Sequence, residues 1–233
     1  LEQKLNSVQQ TADQAQTQAA SAEVASKESG ISFKQGEGLS LKGSKGYVSL
    51  YGLVDVSYVH QSNANSSGNS LTSPRVAWFS GNRWGLTGSH VLGQTGMNVI
   101  FRLESEYESQ TGAMDTDNVL FNRDAWVGLQ SDSLGKLTLG RQNAIARDPI
   151  ASGIYGDPYG SAAPSLDEGG YTNNNNFKQL VFYSGSATGT RINNGVVWKK
   201  DFDKKLYVGA QYQFGGVPGS FSTCSTETVT LAY

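Results

Sequence analysis

The sequence predicts an all-β fold of antiparallel strands, and three observations carry that reading. Over 98–108 the side chains alternate, with Val99, Phe101, Leu103 and Tyr107 on one face and Asn98, Arg102, Glu104, Glu106 and Glu108 on the other. That is the two-residue period of a strand with one apolar and one charged face. Gly accounts for 28 of 233 residues and Pro for only 5, a turn-rich composition rather than a helical one. No stretch approaches about eighteen uninterrupted apolar residues, so no helix can cross a membrane. Mean hydropathy is −0.39. Alternation of this kind suits two environments: a sandwich with one wet face, or a membrane barrel with lipid outside and water within, whose strands escape the hydropathy test.

The first element is the exception to the β pattern. Leu1, Leu5, Val8, Ala12, Ala15, Ala19 and Ala22 are spaced alternately four and three apart, a heptad register held for about three repeats. This predicts a coiled-coil helix over 1–27. Its Ala-rich seam buries little area, and a lone helix of this length is marginal in water, so it needs partners. The competing reading is a solvated Gln- and Ala-rich tail. Residues 28–46 are rich in Gly, Ser and Lys and read as a linker with room for one hairpin, from Ile31-Ser32-Phe33 and Leu39-Ser40-Leu41. The β domain then occupies 47–233.

Within it, 47–60 reads as one strand, with Val48, Leu50, Val54, Val56 and Tyr58 opposite Ser49, Tyr51, Asp55 and Ser57. Further strands are predicted at 82–89, 98–108, 121–129 and 136–141. The connections alternate in length: 61–79 is long, 92–95 short, 109–118 longer, 131–135 short, 142–176 very long. Short turns at one end and long loops at the other are the topology of a bacterial barrel, and this argument is independent of composition. The alternation is expected to fail later, where only 201–204 remains for an outer loop and 215–226 is long for an inner turn. Leu206, Val208, Ala210, Tyr212 and Phe214 alternate with Tyr207, Gly209, Gln211 and Gln213, and a last strand covers 228–233.

Four stretches carry a resemblance: Arg83-Trp84-Gly85-Leu86-Thr87-Gly88, the run 99–106, Asp124-Ala125-Trp126-Val127-Gly128-Leu129, and Leu137-Thr138-Leu139-Gly140-Arg141-Gln142. In this order and spacing they resemble the early strands of the Gram-negative general porins, as Leu50-Tyr51-Gly52 resembles the first. The resemblance implies a trimeric, sixteen-stranded antiparallel transmembrane β-barrel in the outer membrane. The sequence supplies about nine strands, and bacterial single-chain barrels use even numbers. The chain is therefore expected to be the N-terminal part of a longer porin. The helix becomes a periplasmic stalk beneath a homotrimer, reaching roughly 40 Å at about 1.5 Å per residue. Peptidoglycan is a further candidate partner of that stalk, with no residue-level signal.

Arg or Lys facing mid-bilayer lipid costs about 2–4 kcal/mol, falling to about 0–1 near the interfaces. Arg83, Arg102 and Arg123 are therefore expected in the lumen, and strand parity agrees directly for Arg102. For Arg83 and Arg123 the resemblance implies a basic constriction wall, which Lys178 would extend. The long third loop is implied to fold into the barrel and present Asp157, Asp167 and Glu168 across from it. The alternative is an outer surface loop with solvated acids. Asp124 shares parity with Trp126, which as an aromatic reads as outward, so a rim or a subunit contact are both open. Arg141 lies on the face of Leu137 and Leu139 at the outer strand end, where an interface role is implied. Trp78, Trp84, Phe101, Tyr107, Phe121, Trp126, Trp198, Tyr207 and Tyr212 are candidates for aromatic girdles or lipid-facing bulk.

Other functions are disfavoured. Net charge is −2 and the pI near 5.7, so no basic footprint for nucleic acid stands out. His60 and His90 are the only histidines, no GxSxG, P-loop or Cys/His metal spacing occurs, and neither an enzyme, a metal nor a cofactor is expected. The single Cys224 excludes an intrachain disulfide. The chain begins at Leu1 without a signal sequence, so it reads as a mature or trimmed product. Two readings remain: a passive diffusion channel for small hydrophilic solutes and ions, selective through opposed arginines and loop acids, or a structural, adhesive outer-membrane protein tethering envelope layers through its coiled coil.

Overall fold

The computed structural model describes residues 30–34, 38–76, 82–146, 148, 191–202 and 206–233. Among the described residues twelve strands follow one another in this order: β1 (Gly30–Lys34), β2 (Gly38–Gly43), β3 (Gly46–Leu53), β4 (Val56–Gln61), β5 (Leu71–Val76) and β6 (Arg83–Val91). Then come β7 (Asn98–Glu106), β8 (Asp124–Ser131), β9 (Gly135–Asn143), β10 (Arg191–Phe202), β11 (Leu206–Gln213) and β12 (Thr226–Ala232). Ten form one sheet in the order β1-β2-β3-β6-β7-β8-β9-β10-β11-β12, while β4 and β5 pair as a separate hairpin. All pairings are antiparallel.

Residues opposite one another in a ladder share a face, so the registers carry each face across the whole sheet. Leu50 pairs with Leu86, Leu86 with Leu103, Leu103 with Ala125; farther along, Val127 pairs with Leu139 and Leu139 with Val196. On the other face Tyr51 pairs with Gly85, Gly85 with Glu104, Glu104 with Asp124. The apolar face is the open one: Val127 is 51% exposed and Leu139 49%, against 5% for Glu104 and 0% for Thr138. A water-soluble sandwich buries its apolar face; here the polar side chains are covered and the aliphatic ones face outward, the distribution of a sheet with lipid outside.

Sequence and fold differ at four places. The stretch 47–60, expected as one strand, is β3 and β4, and the long connection 61–79 contains β5. Residues 28–46, read as a linker with room for a hairpin, carry β1 and β2, which join the main sheet because Leu39 and Leu41 meet Leu50 and Val48 on its apolar face. The expected break in loop alternation does not occur. β9 pairs directly with β10, so the connections 44–45, 92–97, 132–134 and 203–205 all lie at one end, and 54–82, 107–123, 144–190 and 214–225 at the other. Only the short link 35–37 departs from that rule. The tightness of 92–97 depends on Gly93 and Gly96, both at positive φ (54° and 71°), where other side chains are disfavoured. The predicted helix over 1–27 lies outside the described residues.

Candidate functional site

The polar face concentrates charge where β3, β6, β7 and β8 meet. Tyr51 on β3 donates its hydroxyl to Glu104 Oε2 on β7 at 2.6 Å, across the whole of β6. Gly85 makes that reach possible: a Cβ there would stand 2.8 Å from the Tyr51 hydroxyl. Arg123, in the bend before β8, donates Nε to Glu104 Oε1 at 2.5 Å and a second nitrogen to Glu106 Oε2. Arg102 lies 3.6 Å from Asp124 and its guanidinium stands 5.7 Å from the Tyr51 ring centroid. Arg83 is the ladder partner of Glu106. Three arginines therefore share a single wall with three carboxylates, Glu104, Glu106 and Asp124, and the covered Glu104 and Arg123 have the opposite-charge partners that buried charge requires. The bend is itself tied down: Asn122 accepts from the Glu106 amide at 2.8 Å and donates to Asp115 at 2.8 Å. In the loop beyond, partial burial and the Asp115 and Glu106 carboxylates push the Glu108 carboxyl above its ordinary range.

All three sequence-predicted arginines of the described residues thus come together on the polar face. Asp124 and Trp126 correct the sequence reading: both belong to this face, since Arg102 pairs with Trp126 and Glu104 with Asp124. Residue type suggested an outward Trp, but register decides direction. Arg123 has the opposite backbone parity, and it reaches the polar face only because it precedes the strand. Tyr207 is also not a girdle residue; it is 4% exposed and donates to Asp148 at 3.1 Å. Trp84 and Trp198 do lie on the apolar face. Arg141 is on the apolar face at the long-loop end, donating to the Asn122 carbonyl at 2.7 Å and to Asn193 Oδ1 at 2.6 Å. Lys178, Asp157, Asp167, Glu168 and the seam residues fall outside the described residues.

A second group was not singled out from sequence. On leaving β9 the chain turns onto the polar face. Ala144 and Ile145 are fully covered and pack with Ile192 and Val197, the Ile145 amide donates to Gln211 Oε1 at 2.9 Å, and Asp148 receives both Tyr207 and the Lys199 ammonium. Val197, Lys199, Tyr207 and Gln211 all belong to the polar face. Beside them Lys136, the ladder partner of Lys199, holds its ammonium 3.9 Å from the Trp126 ring centroid. The only hint in the sequence was the even spacing of Lys136 and Thr138 against Leu137 and Leu139; which strand would supply Lys199 was not legible. Among the described residues no group of three or more His, Cys, Asp or Glu could hold a metal ion.

Comparison with known proteins fits this geometry. A family model described as Gram-negative porin matches residues 12–232. An outer membrane porin protein of Bordetella pertussis is 37% identical over 126 residues, covering 49% of this chain and 32% of the relative. Among solved structures, the anion-selective porin from Comamonas acidovorans superposes with a TM-score of 0.56 at 22% identity, over 81% of this chain and 54% of that one, a likeness of fold. The chain spans about a third of the curated relative's length and about half that of the solved structure.

Proposed function

The chain belongs to the Gram-negative porin family of the outer membrane, and from that premise we propose that it forms the N-terminal part of a trimeric barrel whose water-filled lumen passes small hydrophilic solutes and ions without an energy source. The polar face is the lumen wall and the exposed apolar face meets lipid. The ten-stranded sheet supports a longer parent barrel: its outer strands, β1 and β12, each pair on one side among the described residues, and open edges are not tolerated in the hydrocarbon layer.

One observation carries the further reading that the third loop narrows this lumen. Its first described residues, 144–146 and 148, lie against the side chains of β10 and β11 on the polar face rather than rising away from the sheet, held by Ile145, the Gln211 bond and the Asp148 contacts. In this reading the rest of the loop enters the pore, and Asp157, Asp167 and Glu168 face the cross-section that Arg83, Arg102 and Arg123 line, with Lys178 extending the basic wall. Opposed charges across a narrow gap are poorly screened and bias which ions enter. Arg141, on the lipid-facing side at the loop end, is assigned to the subunit contact, and the heptad over 1–27 to a stalk below the trimer. β1 begins at the short-turn end, which is the periplasmic end of such barrels.

The test is electrical. The full-length protein in planar bilayers is expected to give discrete conductance steps, and Asp148→Asn with Lys199→Met is expected to make them noisier or larger as the loop base loosens. Silence of the wild type would favour the structural, adhesive reading. Steps unaltered in size and noise by the double substitution would remove the inserted loop while leaving the channel.

A further inference from the structure

The arginine wall is balanced by its own carboxylates, and the strongest unbalanced feature of the polar face lies nearer the short-turn end. There Gln130 on β8, Lys136 on β9 and Lys199 on β10 are successive ladder partners. This is a row of hydrogen-bond donors in which two ammonium groups stand on adjacent strands, an arrangement that opposes folding unless something offsets it. Asp148 takes up the Lys199 charge. Among the described residues the Lys136 ammonium has no carboxylate within ion-pair range; its neighbour is the face of Trp126, 3.9 Å from the ring centroid.

Trp126 is unusual on a water-lined wall, and the sheet makes room for it. Its ladder partner on β9 is Gly140 and the next residue of its own strand on that face is Gly128, so two positions beside the indole carry no side chain. Trp126 and Lys136 are both half-buried. A cation held on a half-open aromatic face offers two things together: a charge for an anion, and a flat apolar surface beside it.

We propose that Lys136 and Trp126 form a solute station that favours carboxylates borne on an aromatic ring over small inorganic anions. The inference rests on the channel reading and adds the solute class. The carboxylate takes the Lys136 ammonium, with Gln130 as a neighbouring amide donor, and the attached ring lies along the indole instead of in open water. Inorganic anions gain only the first of these contacts.

The experiment uses the full-length protein in planar bilayers, with benzoate, acetate and chloride as probes. Permeability ratios are taken from bi-ionic reversal potentials. Wild type is expected to pass benzoate in preference to acetate, and Trp126→Leu to reduce that preference about two- to tenfold, the worth of one aromatic contact. Lys136→Gln is expected to lower the permeability of all three anions against potassium, and Lys136→Arg to retain the wild-type order. A ratio identical in wild type and Trp126→Leu, with both conducting, overturns this station and leaves the channel reading intact. Absence of any conductance in wild type overturns the channel reading itself.

Discussion

Replacing Arg123 by Gln tests whether the charged wall is one coupled unit. Arg123 is 12% exposed and its two carboxylate partners 6% and 20%, so the substitution strands Glu104 and Glu106 together in a largely dry setting. Removing one partner of a buried pair costs about 3–5 kcal/mol, and the partly exposed Glu106, which water can reach, brings the expectation to about 2–4 kcal/mol. Because Tyr51 also donates to Glu104, that carboxylate keeps one partner, whereas Glu106 loses the guanidinium. Urea titration of the full-length protein folded into lipid vesicles, followed by tryptophan fluorescence, measures the loss. Glu104→Gln alone and combined with Arg123→Gln completes a double-mutant cycle, with a coupling of about 1–2 kcal/mol expected for a charge-assisted bond. The same variants have an electrical signature. Arg123→Gln uncovers negative charge and shifts the reversal potential in a salt gradient toward cations, while the double variant restores the net charge and returns near wild type. Single effects that add to within about 0.5 kcal/mol, with unchanged reversal potential in all three variants, would refute both the coupling and its place in the pore.

Other substitutions probe separate links. Tyr207→Phe removes one hydroxyl from Asp148 and is expected to cost about 0.5–1.5 kcal/mol in the same titration, with faster proteolysis near residue 148 if the loop base loosens. Gly88→Ala brings a Cβ to 2.4 Å from the Phe101 ring and 2.8 Å from the Tyr47 carbonyl, an overpacking worth about 1–3 kcal/mol; Phe101→Ala in the same chain should recover part of the loss, since only the ring component can be relieved that way. Deleting residues 1–26 should leave the barrel foldable and lower the heat resistance of the trimer on a native gel. An unchanged trimer melting point, with that segment equally protease-sensitive in the intact protein, would remove the stalk.

The sequence by itself determined the strands and their two faces, because a two-residue period is a local property: Val99, Phe101 and Leu103 cannot share a side with Arg102 and Glu104 whatever they pack against. It also determined the family, through four short stretches in order, and the place of Arg102 on the charged face. Tertiary structure decided what depends on a partner strand. The direction of Trp126 followed from its pairing with Arg102, which overrode the expectation attached to an aromatic side chain. The end of the sheet to which 203–205 belongs followed from β9 pairing with β10 across a long connection, where counting strands along the chain had failed. The meeting of Tyr51 with Glu104, 53 residues apart, and of Lys199 with Asp148, 51 apart, required a register that periodicity leaves free, because shifting a ladder by two residues preserves both faces while replacing every neighbour.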